Sequence, residues 1–214
     1  MHDLHHSNPD RRGFSLVELL AALAVIAVLS AIVLSVMHSV RAKTDNVKCA
    51  NNLRQMFVYL SAYTQEHNGD LPAVMDADEG ISWWLNLQHY IDSPDQVVGT
   101  NKESIFLCPA AIDTYSNGEA RRTYAMNIEG IPDWRIPINL FQIEDPGRSL
   151  LIMDAADSAA GGGDAYSYFR LAQLQRTIDP RHGGTFNVLF ADGHVGSHEP
   201  SDSSLESYVV NLNQ

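Results

Sequence analysis

Apolar residues fill the N-terminal part of this chain in one unbroken stretch. Residues 19–37 contain no charged side chain. As an α-helix, residues 14–37 would extend about 35 Å at roughly 1.5 Å per residue, which is enough to cross a bilayer. The pattern therefore predicts a transmembrane helix over residues 14–38.

Nothing in the sequence obliges this helix to stop where the apolar stretch ends. Neither glycine nor proline occurs in residues 14–68. Further along, apolar side chains recur every three or four positions, which is typical of a helix that covers a domain core. They are Val47, Ala50, Leu53, Phe57, Leu60 and Tyr63. We expect an amphipathic continuation of the helix over residues 39–68, ended by Asn68 and Gly69.

Residues 69–214 carry shorter apolar runs, separated by glycine and proline. Three of these runs predict short strands: residues 105–108, 122–128 and 149–154. Asp192 and Gly193, between two apolar segments, predict a tight hairpin in which both central residues adopt positive φ. The expected fold class is α+β, with one long N-terminal transmembrane helix that continues into a small antiparallel β-sheet domain.

The charge balance bears on what this domain could bind. The chain has 214 residues and a formal net charge of −12. Two arginines and two aspartates balance each other in residues 1–13, so the excess of acid belongs to the rest of the chain. We therefore expect a single head domain, residues 69–214, that does not bind nucleic acid.

Glu18 is the exception to the apolar pattern, one helical turn inside the predicted membrane segment. A carboxylate at the centre of a membrane costs on the order of 2.5 kcal/mol or more, so we expect a nearby cation to neutralise it. Cleavage of the chain between Gly13 and Phe14 would place a new α-amino group one turn away, on the same subunit or on a neighbour.

Residues 13–18 read Gly-Phe-Ser-Leu-Val-Glu and follow a short polar leader with paired arginines. This arrangement resembles the prepilin N-terminal cleavage and methylation motif of type IV pilins and type II secretion pseudopilins. The resemblance implies that residues 1–13 are a leader and that a prepilin peptidase and methyltransferase cuts after Gly13 and methylates Phe14. It also implies that Glu18 helps to place the incoming subunit in a filament.

The same resemblance implies a lollipop-shaped, single-pass protein of the inner membrane, with its head in the periplasm or in an extracellular filament. Its partners would be further copies of itself, other pilin-like subunits and the inner-membrane assembly platform. Two other interpretations fit the N-terminus as well. Arg11 and Arg12 also fit a twin-arginine export signal, and the apolar run fits an ordinary signal anchor.

A second resemblance lies near the C-terminus. His182, nine further residues and then Asp192 and Gly193 are similar to a C-terminal domain of prepilin-like proteins from planctomycetes and their relatives. Residues 51–55 and 106–109 also look like that group. The resemblance assigns no role to the three motif residues.

Cys49 and Cys108 are the two cysteines of the chain. An even number of cysteines in a domain outside the cytoplasm permits a disulfide. Two separately buried thiols fit the sequence as well, because spacing along the chain gives no distance.

Four residues late in the chain are of types that bind zinc, manganese or calcium: Asp154, His182, Asp192 and His194. An extended strand would separate His182 from Asp192 by about 20 Å or more, so that strand alone cannot give them a shared ion. Asp154 would approach Asp192 if its strand were parallel to this one, and His182 if antiparallel. Calcium is the ion expected if one is bound, because major pseudopilins of secretion systems use a C-terminal calcium loop. Without an ion, His182 would bond a backbone carbonyl and Asp192 would serve the turn.

Neither a nucleophile elbow nor a phosphate-binding glycine loop is present in the sequence, so we expect a structural subunit and not an enzyme. Two alternatives remain. One is a membrane-anchored or exported metal-dependent hydrolase that uses the four residues above. The other is a surface-binding or carbohydrate-binding domain that presents Trp83 and Trp84, which predicts that both indole rings are exposed, whereas such a cluster more often packs in a core.

Overall fold

The computed structural model describes residues 15–75, 82–91, 104–111, 122–158, 166–209 and 212. The predicted leader, Gly13 and Phe14 lie outside the described residues. The chain divides into two compact units, Met1–Arg41 and Ala42–Gln214.

Helix α1, Leu16–Glu66, is the long N-terminal helix that the sequence predicts, and it contributes residues to both units. It ends where the sequence supplies residues that tolerate a left-handed backbone, since Asn68 has φ of 55° and Gly69 of 93°. The Gly69 N–H donates to the Thr64 carbonyl over 2.8 Å, which is the long bond of a Schellman cap. Among the described residues, α1 is the one helix long and apolar enough to cross a membrane.

The unit Ala42–Gln214 holds the remaining elements, all of them short. The strands are β1 Tyr124–Asn127, β2 Leu150–Asp154, β3 Tyr168–Phe169, β4 Phe186–Phe190 and β5 Val195–His198. The further helices are α2 Trp83–Asn86, α3 Leu174–Thr177 and α4 Leu205–Tyr208. Single turns of 3-10 helix occupy Leu87–Tyr90, Leu140–Gln142, Pro146–Arg148 and Leu171–Gln173.

The five strands form one sheet in the order β3-β1-β2-β4-β5. The α+β fold class is confirmed, but the sheet is mixed, not wholly antiparallel. β1 and β3 run parallel, and the other three pairs are antiparallel. A tight hairpin forces antiparallel pairing, but no hairpin joins β1 to β3, so connectivity leaves their relative direction open.

The core of this unit lies between the sheet and the second part of α1. Strands β1, β2 and β4 are buried along their full length. On the helix, the fully buried apolar side chains are Cys49, Leu53, Met56 and Leu60. They recur at three or four residues, as expected, but the stripe is shifted from the predicted one, and Val47 is 60% exposed.

One further expectation for the head is wrong. Residues 105–108 form turns instead of a strand, although they are buried. This segment makes backbone hydrogen bonds outside the β-sheet. For example, the side-chain amide of Asn52 donates to the Leu107 carbonyl over 2.8 Å. Trp83 and Trp84 are buried and pack edge-on against Phe106, so neither ring presents the exposed platform that a surface-binding domain needs.

Strands β4 and β5 form the predicted hairpin, with a different turn. Only Gly193 adopts positive φ in the loop, at 91°, and the Gly193 N–H donates to the Phe190 carbonyl. This is the pattern of a type I turn followed by a glycine bulge, which needs one left-handed residue and not two. Gly193 also lies against α1, because a Cβ on it would come within 2.5 Å of the Phe57 ring.

We predict that Gly193→Ala destabilises the protein by about 3 kcal/mol, because it combines left-handed strain with overpacking against Phe57. Gly183→Ala is the matched control. Gly183 also has positive φ, at 70°, but open space surrounds its Cβ position, so only the strain, about 1 kcal/mol, applies. Urea unfolding of the detergent-solubilised chain, followed by tryptophan fluorescence, measures both. Equal losses would contradict the contact between Gly193 and Phe57.

Candidate functional site

The N-terminal region places a carboxylate at the beginning of α1. Glu18 lies in the first turn of the helix, and its Oε2 accepts a hydrogen bond from the Ser15 N–H over 2.9 Å. The N–H groups of a first helical turn have no partner within the helix, so a carboxylate here stabilises the helix end. The carboxylate is thus held next to the backbone of Ser15, the residue that follows Phe14.

The helix beyond Glu18 exposes its apolar side chains. Every large apolar residue in residues 16–37 is between 55% and 74% exposed. This stretch extends about 33 Å at roughly 1.5 Å per residue, close to the thickness of a bilayer's hydrocarbon core, about 30 Å. An exposed apolar surface of this size is stable in lipid or against other apolar helices, not in water. The long apolar helix fits a single-pass membrane anchor, as in pilins.

A second group of chemically active residues is buried in the unit Ala42–Gln214. Cys49 of α1 and Cys108 are joined in a disulfide with a Cα–Cα distance of 4.9 Å. The Nε2 atom of His182 lies 3.4 Å from the Cys108 sulfur and 3.2 Å from Oδ2 of Asp154. The side chains of Asp154 and His182 are 0% and 1% exposed. We call Cys49, Cys108, Asp154 and His182 the buried cluster.

The antiparallel pairing of β2 and β4 brings Asp154 and His182 together. Asp154 ends β2, and its Oδ2 accepts the backbone N–H of Asn187 in β4 over 2.8 Å. The Asn187 side chain continues the network to α1, donating to Oδ1 of Asn46 over 2.9 Å. Asp154 therefore approaches His182, as expected for antiparallel strands, and not Asp192.

The side chains of the buried cluster are shielded from solvent. Burial, and next the charge of Asp154, raise the pKa of Tyr124 well above its ordinary value. Oδ1 of Asp154 and Nδ1 of His182 are buried without a hydrogen-bond partner in the described part of the chain. Buried polar atoms usually have partners, so these two call for an explanation.

Asp192 and His194 form a separate pair at the opposite end of β4. Oδ1 of Asp192 lies 2.6 Å from Nδ1 of His194, and both side chains are more than 40% exposed. Partial desolvation raises the pKa of the Asp192 carboxyl, but hydrogen bonds from the His194 backbone and ring outweigh it, and the pKa is lowered on balance. The four candidate ligands therefore lie in two separate pairs, one before β4 and one after it, and do not surround one point.

Asn187, Asn46 and Tyr124 are site residues that the sequence interpretation did not select. Asn187 had a signal, since it is a polar residue within the apolar run that became β4. A polar residue at a fully buried strand position needs a hydrogen-bond partner and is a candidate for a network. Asn46 and Tyr124 had no such signal, because nothing near them in the sequence marks Asn46 as a partner of Asn187 or places Tyr124 close to Asp154.

Comparison with known proteins adds a finding at the N-terminus. Residues 8–34 match the family model described as the prokaryotic N-terminal methylation motif. The matched range contains Gly13, Phe14 and Glu18, and the predicted methylation motif is confirmed. The match supports a type IV pilin-like precursor. No curated protein and no solved structure matches the chain, and the resemblance of its C-terminal motif to planctomycete proteins stays a prediction.

We predict that Asp154→Asn lowers the free energy of unfolding by about 2 kcal/mol, because it replaces a buried carboxylate that lies 3.2 Å from His182 Nε2 and accepts the Asn187 N–H. The matched control is Asp192→Asn, which makes the same change in the exposed pair and should cost less than about 1 kcal/mol. Urea unfolding of both variants at neutral pH measures the difference. An Asp192 variant as unstable as the Asp154 variant would contradict this account of the buried cluster.

Proposed function

We propose that this chain is the precursor of a structural subunit that assembles through its N-terminal helix into a type IV pilus or a type II secretion-like filament. One observation carries the proposal: the methylation motif matched by residues 8–34 coincides with the start of an exposed apolar helix that has a carboxylate in its first turn. An ordinary signal anchor needs neither the motif nor the carboxylate.

Processing follows from this assignment. A prepilin peptidase and methyltransferase would cut after Gly13 and methylate the new terminus at Phe14. The proposed mature subunit then has a membrane-spanning segment over residues 14–38, a helical continuation over residues 39–68 and a head over residues 69–214. The subunit would wait in the inner membrane with its head in the periplasm, and enter the filament through the assembly platform.

Glu18 would act in the assembly step. An ionised carboxylate in the apolar segment costs on the order of 2.5 kcal/mol or more at the membrane centre, and a methylated ammonium group in the same environment is comparably costly. Bringing the Phe14 ammonium of an incoming subunit next to the Glu18 carboxylate of its neighbour relieves both costs. The pairing would fix the axial position of each new subunit, while the apolar helix surface supplies the packing.

The head would contribute a stable folded body and no catalysis. The metal-dependent hydrolase needed Asp154, His182, Asp192 and His194 around one ion, and the structure separates them into two pairs. The surface-binding alternative needed exposed tryptophans, and Trp83 and Trp84 are buried. A filament subunit requires neither arrangement.

The first prediction of this proposal concerns the mature N-terminus. We expect the intact mass of the protein extracted from its own host's membranes to correspond to residues 14–214 plus one methyl group. Gly13→Ala should abolish the cut and leave the full-length chain, since the peptidase acts after that glycine. An uncut wild-type chain, or one cleaved beyond residue 36, would refute the processing step.

The second prediction concerns Glu18. We expect Glu18→Ala to reduce the incorporation of subunits into filaments at least about tenfold, because loss of the pairing costs more than about 1.4 kcal/mol. The head should stay folded, with unchanged tryptophan fluorescence. Asp45→Ala is the matched control, since it removes a carboxylate from α1 outside the uncharged stretch. Filament incorporation is measured by quantifying sheared filaments against membrane-retained subunit, and wild-type incorporation of the Glu18 variant would refute the role.

A further inference from the structure

The buried cluster contains more ligating atoms than its disulfide uses. Both sulfurs and a ring nitrogen of His182 lie within 4.8 Å of one another, and Oδ2 of Asp154 lies 3.2 Å from His182 Nε2. We propose that reduction of the disulfide between Cys49 and Cys108 creates a zinc site whose ligands are these two cysteines, His182 and Asp154.

The distances support a shared ion. The ligating atoms of Cys49, Cys108 and His182 all lie within 4.8 Å of one another. A tetrahedral zinc ion with Zn–S bonds of about 2.3 Å and Zn–N or Zn–O bonds of about 2.0 Å places its ligand atoms roughly 3.3 to 3.8 Å apart. His182 Nε2 already lies 3.4 Å from the Cys108 sulfur and 3.2 Å from Asp154 Oδ2. Two changes are required: the two sulfurs separate once their bond is broken, and the Asp154 carboxylate, which lies outside this group of three, moves toward them.

The charge balance also favours a cation. In the reduced chain, two thiols and a carboxylate are buried together, and Cys49, Cys108 and Asp154 are each 0% exposed. A buried carboxylate is costly unless it is paired or coordinates a metal. Zinc brings two positive charges to two thiolates, a carboxylate and a neutral imidazole, so it compensates most of the buried negative charge.

Groups around the cluster orient its ligands. The Asn187 N–H holds Asp154 Oδ2, and the Cys108 N–H donates to Oγ1 of Thr123 over 2.7 Å. Such outer contacts fix metal ligands in place and are a regular part of zinc sites. Three of the four ligands come from α1, the segment 104–111 and β2, and His182 precedes β4. An ion here would link the same four parts of the fold that the disulfide and its neighbours link.

A dithiol can reduce the Cys49–Cys108 disulfide by thiol–disulfide exchange. Its two thiols form a disulfide as the bond between the Cys49 and Cys108 sulfurs breaks, and each protein sulfur gains one electron and one proton. Zinc binding then releases both protons as the thiols become thiolates. Disulfide and zinc are therefore alternative links at one place, so the oxidised chain cannot form this site.

Cobalt(II) tests the site directly, because tetrahedral thiolate coordination gives it visible d–d bands and a sulfur-to-metal charge-transfer band. The full chain in detergent micelles is reduced with a phosphine, kept anaerobic and titrated with cobalt(II), and the cobalt is then displaced by zinc. We expect one cobalt per reduced chain, with tetrahedral bands, and none in the oxidised chain. A reduced chain without stoichiometric cobalt would overturn the proposal.

Variants assign the ligands. His182→Ala and Asp154→Asn should raise the dissociation constant for cobalt at least about tenfold, the scale on which even outer-shell changes act. His194→Ala and Asp192→Asn are the matched controls and should bind as the wild type does. If the His182 variant bound cobalt as tightly as the wild type and kept its near-ultraviolet circular dichroism, the ion would be held by the two cysteines without His182. That result would refute the proposed site.

A measurement without variants covers the case in which a variant does not fold. Zinc should protect both cysteines of the reduced wild-type chain from alkylation by iodoacetamide, as mapped by peptide mass spectrometry. Protection of both at one equivalent of zinc supports the site. Alkylation at the same rate with and without zinc refutes it.

Discussion

The disulfide between Cys49 and Cys108 is the constraint on which the head depends most. It closes a separation of 59 residues, which is worth about 4 kcal/mol in the chain-entropy account. It also holds residues 104–111, an apolar segment outside the sheet, against α1. This segment pairs with no β-strand, so its buried backbone groups need hydrogen bonds from individual residues. One of these is donated by the Asn52 side-chain amide to the Leu107 carbonyl.

Strand β4 connects the other conspicuous features of the head. His182 precedes it and lies against the disulfide. Asn187, its second residue, donates to Asn46 of α1, and Gly193 beyond it packs on Phe57 of the same helix. The spacing of the C-terminal motif is thus set by the length of a strand, with its histidine at one end and its Asp-Gly turn at the other. Both ends make contacts that a side chain of another size would disturb.

The two parts of α1 need different surroundings. From Cys49 onward the helix buries an apolar stripe within its own unit, whereas its earlier part exposes apolar side chains on every face. A helix that is apolar all round and unpacked by its own chain requires lipid or neighbouring helices. The proposed life of the subunit, first in a membrane and then in a filament, supplies these two environments in turn.

Local patterns in the sequence predicted the long helix, its end at Asn68 and Gly69, the α+β class, the hairpin with Asp192 and Gly193 in its turn, and the methylation motif. Each depends on neighbours in the chain: unbroken apolar composition, residues that tolerate left-handed backbone, or a short motif with fixed spacing. Three features depend instead on the tertiary fold: the bond between Cys49 and Cys108, the parallel pairing of β1 and β3, and the approach of Asp154 to His182. These are contacts between residues far apart in sequence, and they follow from strand order and direction, which local preferences do not specify.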